Sequence, residues 1–120
     1  MGLNVYLIRK KCTSFDAGET FTEEDEYVYE ANITHNLGEM ARMSGIYEAL
    51  WRPEDIDKTK AGEIIELLED GLESLKKGPD YFKKFNSPNG WGTYENFVPF
   101  VEKYLDACKE YPSATIEVSR

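Results

Sequence analysis

The residues best suited to chemistry concentrate in the segment YEANITHNLGEMA, residues 29–41, which contains the only histidine of the 120-residue sequence. Asn32, Thr34, His35 and Asn36 stand within five positions of this segment. A histidine beside amide side chains can serve as an acid or base, or as a hydrogen-bond partner of a ligand. The same residues are also typical of a helix start, where an Asn32 or Thr34 side chain accepts backbone N–H bonds. Thr34 alone would suffice as a cap, which leaves the other three for binding.

A position in the first helical turn would place His35 at the positive end of the helix dipole, where the neutral imidazole is favoured. The free N–H groups of that turn could hold an anion or a carbonyl oxygen. No serine or cysteine nucleophile stands near His35 in the sequence, so nucleophilic catalysis has little support. His35 is therefore the one candidate catalytic residue, and a ligand contact is the alternative role.

A second group of candidate residues follows in NGWGTYENF, where the glycines of residues 89–92 permit a sharp turn before a predicted helix cap at Thr93. Trp91 is held on that turn. Burial in the core beside Trp51 is the favoured prediction, since large aromatic side chains are mostly buried. In the alternative, Trp91 and Tyr94 flank His35 and stack on a planar ligand such as a base or sugar.

Two arginines extend the list of candidate binding residues. Arg52 follows Trp51 in WRPEDID and could pair locally with Glu54 or Asp55, which is the favoured prediction. Alternatively it could offer a guanidinium fork to a phosphate or carboxylate. Arg120 at the end of the sequence permits the same two interpretations.

The composition excludes several classes of function. A net charge of −9 argues against direct nucleic-acid binding, which needs a surplus of lysine and arginine. No apolar run approaches the roughly 20 residues of a membrane span, and no signal peptide is recognisable, so a cytoplasmic location and no membrane association are predicted. Cys12 and Cys108 lack metal-ligand spacing and are predicted to be free thiols. No standard cofactor or metal motif occurs, so neither is predicted.

Acidic residues form two groups, the segment FTEEDEYVYE and the polar face of residues 61–77. An ordinary solvated surface is the favoured interpretation. If both groups lined one side of the molecule, they would form a strip of negative charge that mimics DNA phosphates. A DNA-mimic inhibitor of a host nucleic-acid enzyme is therefore an alternative function.

Hydrophobic periodicity predicts three strands and three helices. The strands are LNVYLIR, YVYEA and the alternating ATIEVS, at residues 3–9, 27–31 and 114–119. The helices cover residues 35–51 and 61–77, and a third begins after Thr93 and continues to Pro112, with Pro99 kinking it or marking its first turn. The polar, acidic residues 10–26 between the first two strands predict a loop or a weak hairpin.

This order of elements indicates an α+β fold in a single domain, residues 1–120, because 120 residues are too few for two separate cores. A small, mainly antiparallel sheet of about three strands is expected, with three helices packed on one face. The last strand should pack against the first two to bury its apolar side. The two ends of the sequence are therefore expected to meet in the sheet.

Three phrases taken together carry a resemblance to a known family: ANITHNLGEMARMSGIYEALWRPEDI, FNSPNGWGTYENFVPFVEKYLDAC and ATIEVSR. The chain resembles a family of small proteins encoded mainly by bacteriophages, prophages and their bacterial hosts, which share ITHNL, GIYEALWRP and NGWGTY motifs and a VSR tail. The resemblance covers residues 27–120, and residues 10–26 do not contribute to it. It implies a phage or prophage setting in a bacterial host cell and one domain, and it assigns no reaction.

The sequence thus supports a phage or prophage accessory protein that binds a host protein or a small ligand without enzymatic turnover. The predicted binding region combines ITHNL and NGWGTY, with Asn32, Thr34, His35 and Asn36 from the first, Trp91 and Tyr94 from the second, and Arg52 beside them. A small enzyme acting on a nucleotide- or sugar-like substrate, with His35 as its acid or base, is the alternative besides the DNA mimic. The sequence leaves the oligomeric state open.

Overall fold

The computed structural model describes the backbone of residues 2–14 and 21–120, and the side chains of residues 2–10 and 25–120. The strands are β1 (Gly2–Ser14), β2 (Phe21–Thr34) and β3 (Thr115–Ser119). The helices are α1 (Gly38–Met43), α2 (Tyr47–Trp51), α3 (Ile65–Lys77), α4 (Pro79–Phe82) and α5 (Tyr94–Glu110). Single 3₁₀ turns occupy His35–Leu37, Pro53–Ile56, Ala61–Ile64 and Lys83–Phe85.

The sheet is antiparallel, with the strand order β2-β1-β3. The α+β prediction is confirmed, and β1 is the inner strand that its apolar composition indicated. Ser119 pairs with Asn4, so the first and last described strands meet as expected. In this order β2 is an edge strand, whereas β3 has a further antiparallel bridge on its outer side between Thr115 and Lys60. No helix among the described residues has both the length and the apolar composition needed to span a bilayer.

Residues 10–14 and 21–26 extend the two long strands, so the hairpin alternative for the segment 10–26 agrees with the structure. The segment 15–20 lies outside the described residues. β3 reaches only as far as Thr115, which pairs with Ile8. Beyond that point β1 and β2 continue as a two-stranded ribbon. The Cys12 side chain, predicted to carry a free thiol, also lies outside the described side chains.

The helices pack on one face of the sheet, against the alternate residues of β1 that are completely buried. Helix α5 supplies the largest share of the core, and α3 packs alongside it through Leu68 and Leu75. Burial raises the pKa of the Cys108 thiol to about 12, because the thiolate would have to form without water. The core residues of β1 and α5 are Leu3, Val5, Leu7, Phe97, Phe100, Val101, Tyr104, Leu105, Ala107 and Cys108.

The predicted continuous helix 35–51 is wrong, because the chain reverses at Gly45. Gly45 has a φ of +83°, a left-handed conformation that glycine adopts readily. The backbone N–H of Ile46 donates to the carbonyl of Ala41, and that of Gly45 donates to the carbonyl of Arg42. These two bonds form a Schellman motif, which ends α1 and lets α2 start in a new direction.

The start of the 61–77 helical segment is held by a carboxylate. Oε1 of Glu63 accepts backbone N–H bonds from Thr59 and Lys60, both at 2.9 Å. These bonds favour the ionised form, and they lower the pKa of Glu63 below its usual value. Glu63 is thereby a structural residue of the capping turn rather than part of an unengaged acidic surface.

We expect Glu63→Ala to lower the melting temperature at neutral pH. A carboxyl group whose pKa is lower in the folded state stabilises the fold above its unfolded pKa, and this contribution is lost as the pH falls through the folded pKa. The difference in melting temperature between parent and variant should therefore close in acid, as followed by circular dichroism. Asp70→Ala, on the exposed face of α3, is the control. An equal, pH-independent loss in both variants would contradict a capping role for Glu63.

Tyr104 provides a second test of the core. Its side chain is fully buried, and its hydroxyl makes no hydrogen bond among the described residues. Tyr94, in contrast, donates from its hydroxyl to the carbonyl of Leu75 at 2.7 Å. Tyr104→Phe should raise the free energy of unfolding by about 1 kcal/mol, and Tyr94→Phe should lower it by about 1 kcal/mol, since only the second removes a satisfied bond. Urea denaturation measures both, and a destabilised Tyr104→Phe variant would show that this hydroxyl has a partner.

Candidate functional site

The ITHNL motif forms the junction between β2 and the first helical turn. Thr34 ends the strand, and its Oγ1 accepts a hydrogen bond from the backbone N–H of Asn36 at 3.2 Å. The capping role predicted for this motif is therefore performed by Thr34. Asn32 lies two positions earlier in β2, opposite Asn4, and does not cap the turn.

Asn36 joins this junction to the NGWG turn. Its side-chain amide donates to the backbone carbonyl of Trp91 at 2.8 Å. Gly92 follows with a φ of +108°, and a Cβ placed on it would lie only 3.0 Å from the side chains of Thr34 and Asn36. The two predicted motifs are thus in direct contact, and a residue larger than glycine would disturb the contact at position 92.

The favoured prediction that Trp91 is buried beside Trp51 is wrong. Trp91 is 71% exposed, whereas Trp51 is 3% exposed. The backbone of the turn explains the difference, because the Trp91 N–H bonds to Asn89 and its carbonyl bonds to Asn36. These bonds hold the main chain against the domain and leave the ring outside. The ring lines neither cavity beside the junction.

Tyr94 also lies apart from His35, because its hydroxyl binds the end of α3 and its ring lines neither of these cavities. Its backbone N–H is capped by the side-chain oxygen of Asn86 at 2.7 Å. Thr93 occupies the N-cap position of α5 but makes no side-chain cap bond. Asn86 therefore caps α5 instead of the predicted Thr93. The side chain of Tyr94, which was predicted to contact a ligand, makes a structural contact with α3.

The half-buried side chain of His35 has a hydrogen-bond partner at the junction. The indole Nε1–H of Trp51 donates to Nδ1 of His35 at 3.0 Å. An indole nitrogen can only donate, so Nδ1 must be the unprotonated nitrogen. The neutral ring then carries its proton on Nε2 and offers a hydrogen-bond donor there. It has no free lone pair for a general base while the bond to Trp51 is made.

An aromatic stack extends from this hydrogen bond. The rings of Tyr47 and Trp51 are stacked, with centroids 5.3 Å apart and planes within 9°. The guanidinium of Arg42 lies over the Tyr47 ring, 4.1 Å from its centroid. Cation–π contact and stacking together fix the orientation of Arg42. Its ion pair with Glu39 is long, at 3.9 Å, and both side chains are more than half exposed.

Two further arginines, Arg52 and Arg120, lie near Trp51 and come from other segments of the chain. Arg120 donates to the carbonyl of Trp51 at 2.7 Å and pairs with Glu54 at 2.8 Å. A backbone hydrogen bond at Glu54 itself, and then the bond to Arg120, lower the pKa of that carboxyl group. Among the described residues Arg52 forms an ion pair with neither of its predicted partners, Glu54 and Asp55, and Glu54 pairs with Arg120 instead. The exposed side chain of Arg52 stands at the cavity.

These groups line one cavity of about 420 Å³, which we call the cationic cleft. Arg42 and Tyr47 were not predicted from the sequence to be binding residues. The predicted straight helix would have kept Tyr47, the ring that holds Arg42, about 18 Å along its axis from His35. Gly45, a helix-stop residue in MSGIYEALW, is the signal that could have revealed the reversal. The cleft is lined by His35, Asn36, Gly38, Glu39, Arg42, Tyr47, Trp51, Arg52 and Arg120.

Five of the seven predicted binding residues line two neighbouring cavities, and Trp91 and Tyr94 line neither of them. His35, Asn36 and Arg52 line the cationic cleft, whereas Asn32 and Thr34 line a neighbouring cavity of about 390 Å³ between β2 and α5. Among the described residues, no cluster of three or more His, Cys, Asp or Glu side chains is arranged to hold a metal ion.

Several acidic groups of the described surface are engaged with cations. On α3, Glu69 pairs with Lys109 at 3.1 Å and Glu73 with Lys77 at 2.7 Å. On the β1–β2 ribbon, Glu26 pairs with Arg9 and Asp25 with Lys10. Together with the capping role of Glu63, these pairs fit an ordinary solvated face better than an uninterrupted strip of negative charge.

We expect His35→Leu to destabilise the protein by about 1–3 kcal/mol, because it leaves the buried indole N–H of Trp51 without an acceptor. His35→Asn is the matched variant, since its Oδ1 can occupy the place of Nδ1 and keep the bond. It should therefore lose less stability than His35→Leu. Chemical denaturation followed by tryptophan fluorescence measures the difference. Equal losses in the two variants would contradict a structural role for this hydrogen bond.

Comparisons of the chain with protein-family models, with curated proteins and with solved structures found no significant match. The resemblance to phage-encoded proteins therefore stays a prediction, and the functional interpretation depends on the geometry of the site.

Proposed function

We propose that this protein is a binding protein, without turnover, whose ligand carries a phosphate group held in the cationic cleft. One observation carries the proposal. Arg42, Arg52 and Arg120 come from three separate positions of the chain and line one cavity, in a protein whose net charge is −9. Arg42 has only a long ion pair with Glu39, Arg120 pairs with Glu54, and Arg52 has no ion pair among the described residues, so the convergence of the three favours an anionic partner.

The donors of the cleft favour phosphate over carboxylate. Three guanidinium groups and one carboxylate, Glu39, line the cavity, and Arg120 is in addition paired with Glu54. Arginines that reach one cavity from three segments suit a phosphate monoester, which presents three acceptor oxygens, better than a carboxylate, which presents two. Guanidinium groups bind phosphate oxygens through paired N–H bonds. The Nε2–H of His35 adds a neutral donor to the same cavity.

The aromatic rings of the cleft support the arginines. The Tyr47 ring already stacks on Trp51 and carries the guanidinium of Arg42. Stacking of a base or sugar on Tyr47 would have to compete with these two contacts. This arrangement favours recognition of the anionic group itself, with the rest of the ligand directed outward.

The two alternative functions have less support. An acid–base role for His35 would require its Nδ1 to release the indole of Trp51 before Nε2 could accept a proton. A DNA mimic would need unpaired acidic groups along one side, whereas several of them pair with lysines. The phage or prophage setting remains a proposal that depends on the sequence motifs, and it would make the ligand a host metabolite or a phosphorylated host component.

Phenyl phosphate is the probe for the expected binding, titrated by isothermal calorimetry at low ionic strength. Arg52→Ala should weaken its binding about tenfold, since a charge-assisted bond is lost while the exposed side chain supports no packing. Arg9→Ala, an exposed arginine outside the cleft, should bind like the parent. Binding should weaken as salt is raised, because the contacts are exposed to solvent.

Benzoate, which has a carboxylate in place of the phosphate, is the comparison ligand. If benzoate binds as tightly as phenyl phosphate, the preference for phosphate is wrong. If neither binds, or if Arg9→Ala weakens binding as much as Arg52→Ala, the cationic cleft is not the binding site.

A further inference from the structure

The outer edge of β2 has unused hydrogen-bonding capacity. The strand order leaves β2 paired with β1 on one side only. Among the described residues, no further backbone hydrogen bond engages residues 25–34 outside that pairing. A strand edge of this kind presents alternating N–H and C=O groups that can pair with another chain.

A cavity of about 390 Å³ lies beside this edge, between β2 and α5. We call it the edge groove. Its β2 wall contains Tyr29, Ala31 and Ile33, which alternate along the strand and face the helix layer. Its helix wall contains Pro99 and Phe100. Pro99 is exposed, and with no N–H it leaves the carbonyl of Glu95 without its helical partner.

Gly92 lines the groove beside the C-terminal end of β2, and its packing against Thr34 and Leu37 leaves no room for a side chain. We expect an occupant to lie along β2 between Tyr29 and this contact. The described stretch from Tyr29 to Thr34 covers six residues, which is about 20 Å of strand.

The outer edge of β2 is acidic in its first part and uncharged in its last four residues. Natural edge strands often carry charges that prevent pairing, and β2 does so at Asp25, Glu26 and Glu30. The four residues 31–34, ANIT, are uncharged. The cation of the groove is Lys103, which is exposed and has no ion-pair partner among the described residues. In a chain with a surplus of acidic groups, a lysine left uncompensated in a groove is complementary to a carboxylate.

From this juxtaposition we propose that the edge groove binds an extended peptide segment of a partner protein. The segment adds a fourth strand beside β2 through backbone hydrogen bonds, places an apolar side chain against Phe100 and Ile33, and directs a carboxylate to Lys103. When a peptide adds a strand to a sheet, backbone hydrogen bonds supply affinity, and a pocket that accepts every second side chain of the peptide supplies selectivity. A second copy of this chain fits less well, because it would bring its own acidic β2 to the same edge.

The test uses a fluorescein-labelled, end-capped hexapeptide of alternating valine and threonine with one aspartate, measured by fluorescence anisotropy. The parent protein should bind it saturably. Lys103→Glu should weaken binding about fivefold through loss of the ion pair and charge reversal. Lys109→Glu makes the same change of net charge on α5 but outside the groove, where Lys109 pairs with Glu69, and it should bind like the parent.

A second peptide, methylated on alternate backbone nitrogens, keeps the side chains but cannot complete a strand ladder. It should lose binding. Equal binding of both peptides, no saturable binding of the first, or equal losses in Lys103→Glu and Lys109→Glu would each overturn the proposal. Self-association of the protein that excludes the peptide, seen by sedimentation, would also overturn it in favour of a second copy. Arg52→Ala should leave peptide binding unchanged, so this test is independent of the cationic cleft.

Discussion

The left-handed turn at Gly45 is the constraint on which the arrangement of the site depends. His35 and Trp51 are 16 residues apart, which in one continuous helix would separate them by about 24 Å along the axis. In the structure their rings share a 3.0 Å hydrogen bond. The Schellman motif at Gly45 makes this contact possible by sending α2 back toward the β2 junction.

Several features of the molecule follow from that reversal. The side chains of α2 return to the junction, where Tyr47 orients Arg42 and the carbonyl of Trp51 receives Arg120. Close packing maintains the turn, because Gly71 of α3 approaches Ile46 so closely that a Cβ would lie 2.1 Å from it. The local positive charge is therefore assembled by backbone geometry and packing, in a chain whose overall charge is strongly negative.

The contact between Asn36 and the NGWG turn separates the two surfaces for which binding is proposed. On one side lies the cationic cleft, with three guanidinium groups and a neutral imidazole donor. On the other lies the edge groove, with unpaired backbone groups and apolar walls. Gly92 and Asn36 form the partition between them. The proposed anion binding and the proposed peptide binding thus use different chemistry, although the same junction positions both sites.

The sequence by itself determined the class of fold, the inner position of β1, the α3 and α5 segments and the Thr34 cap. These depend on local periodicity and capping, which neighbouring residues carry. Tertiary structure decided which candidate residues meet. It exposed Trp91, bonded the hydroxyl of Tyr94 to the end of α3, and paired Glu54 with Arg120 instead of Arg52. It also placed Arg42 and His35 on one cavity. Those outcomes depend on contacts between residues far apart in the chain, and the positive φ at Gly45 redirects the segment that brings Tyr47, Trp51 and Arg52 to the cleft.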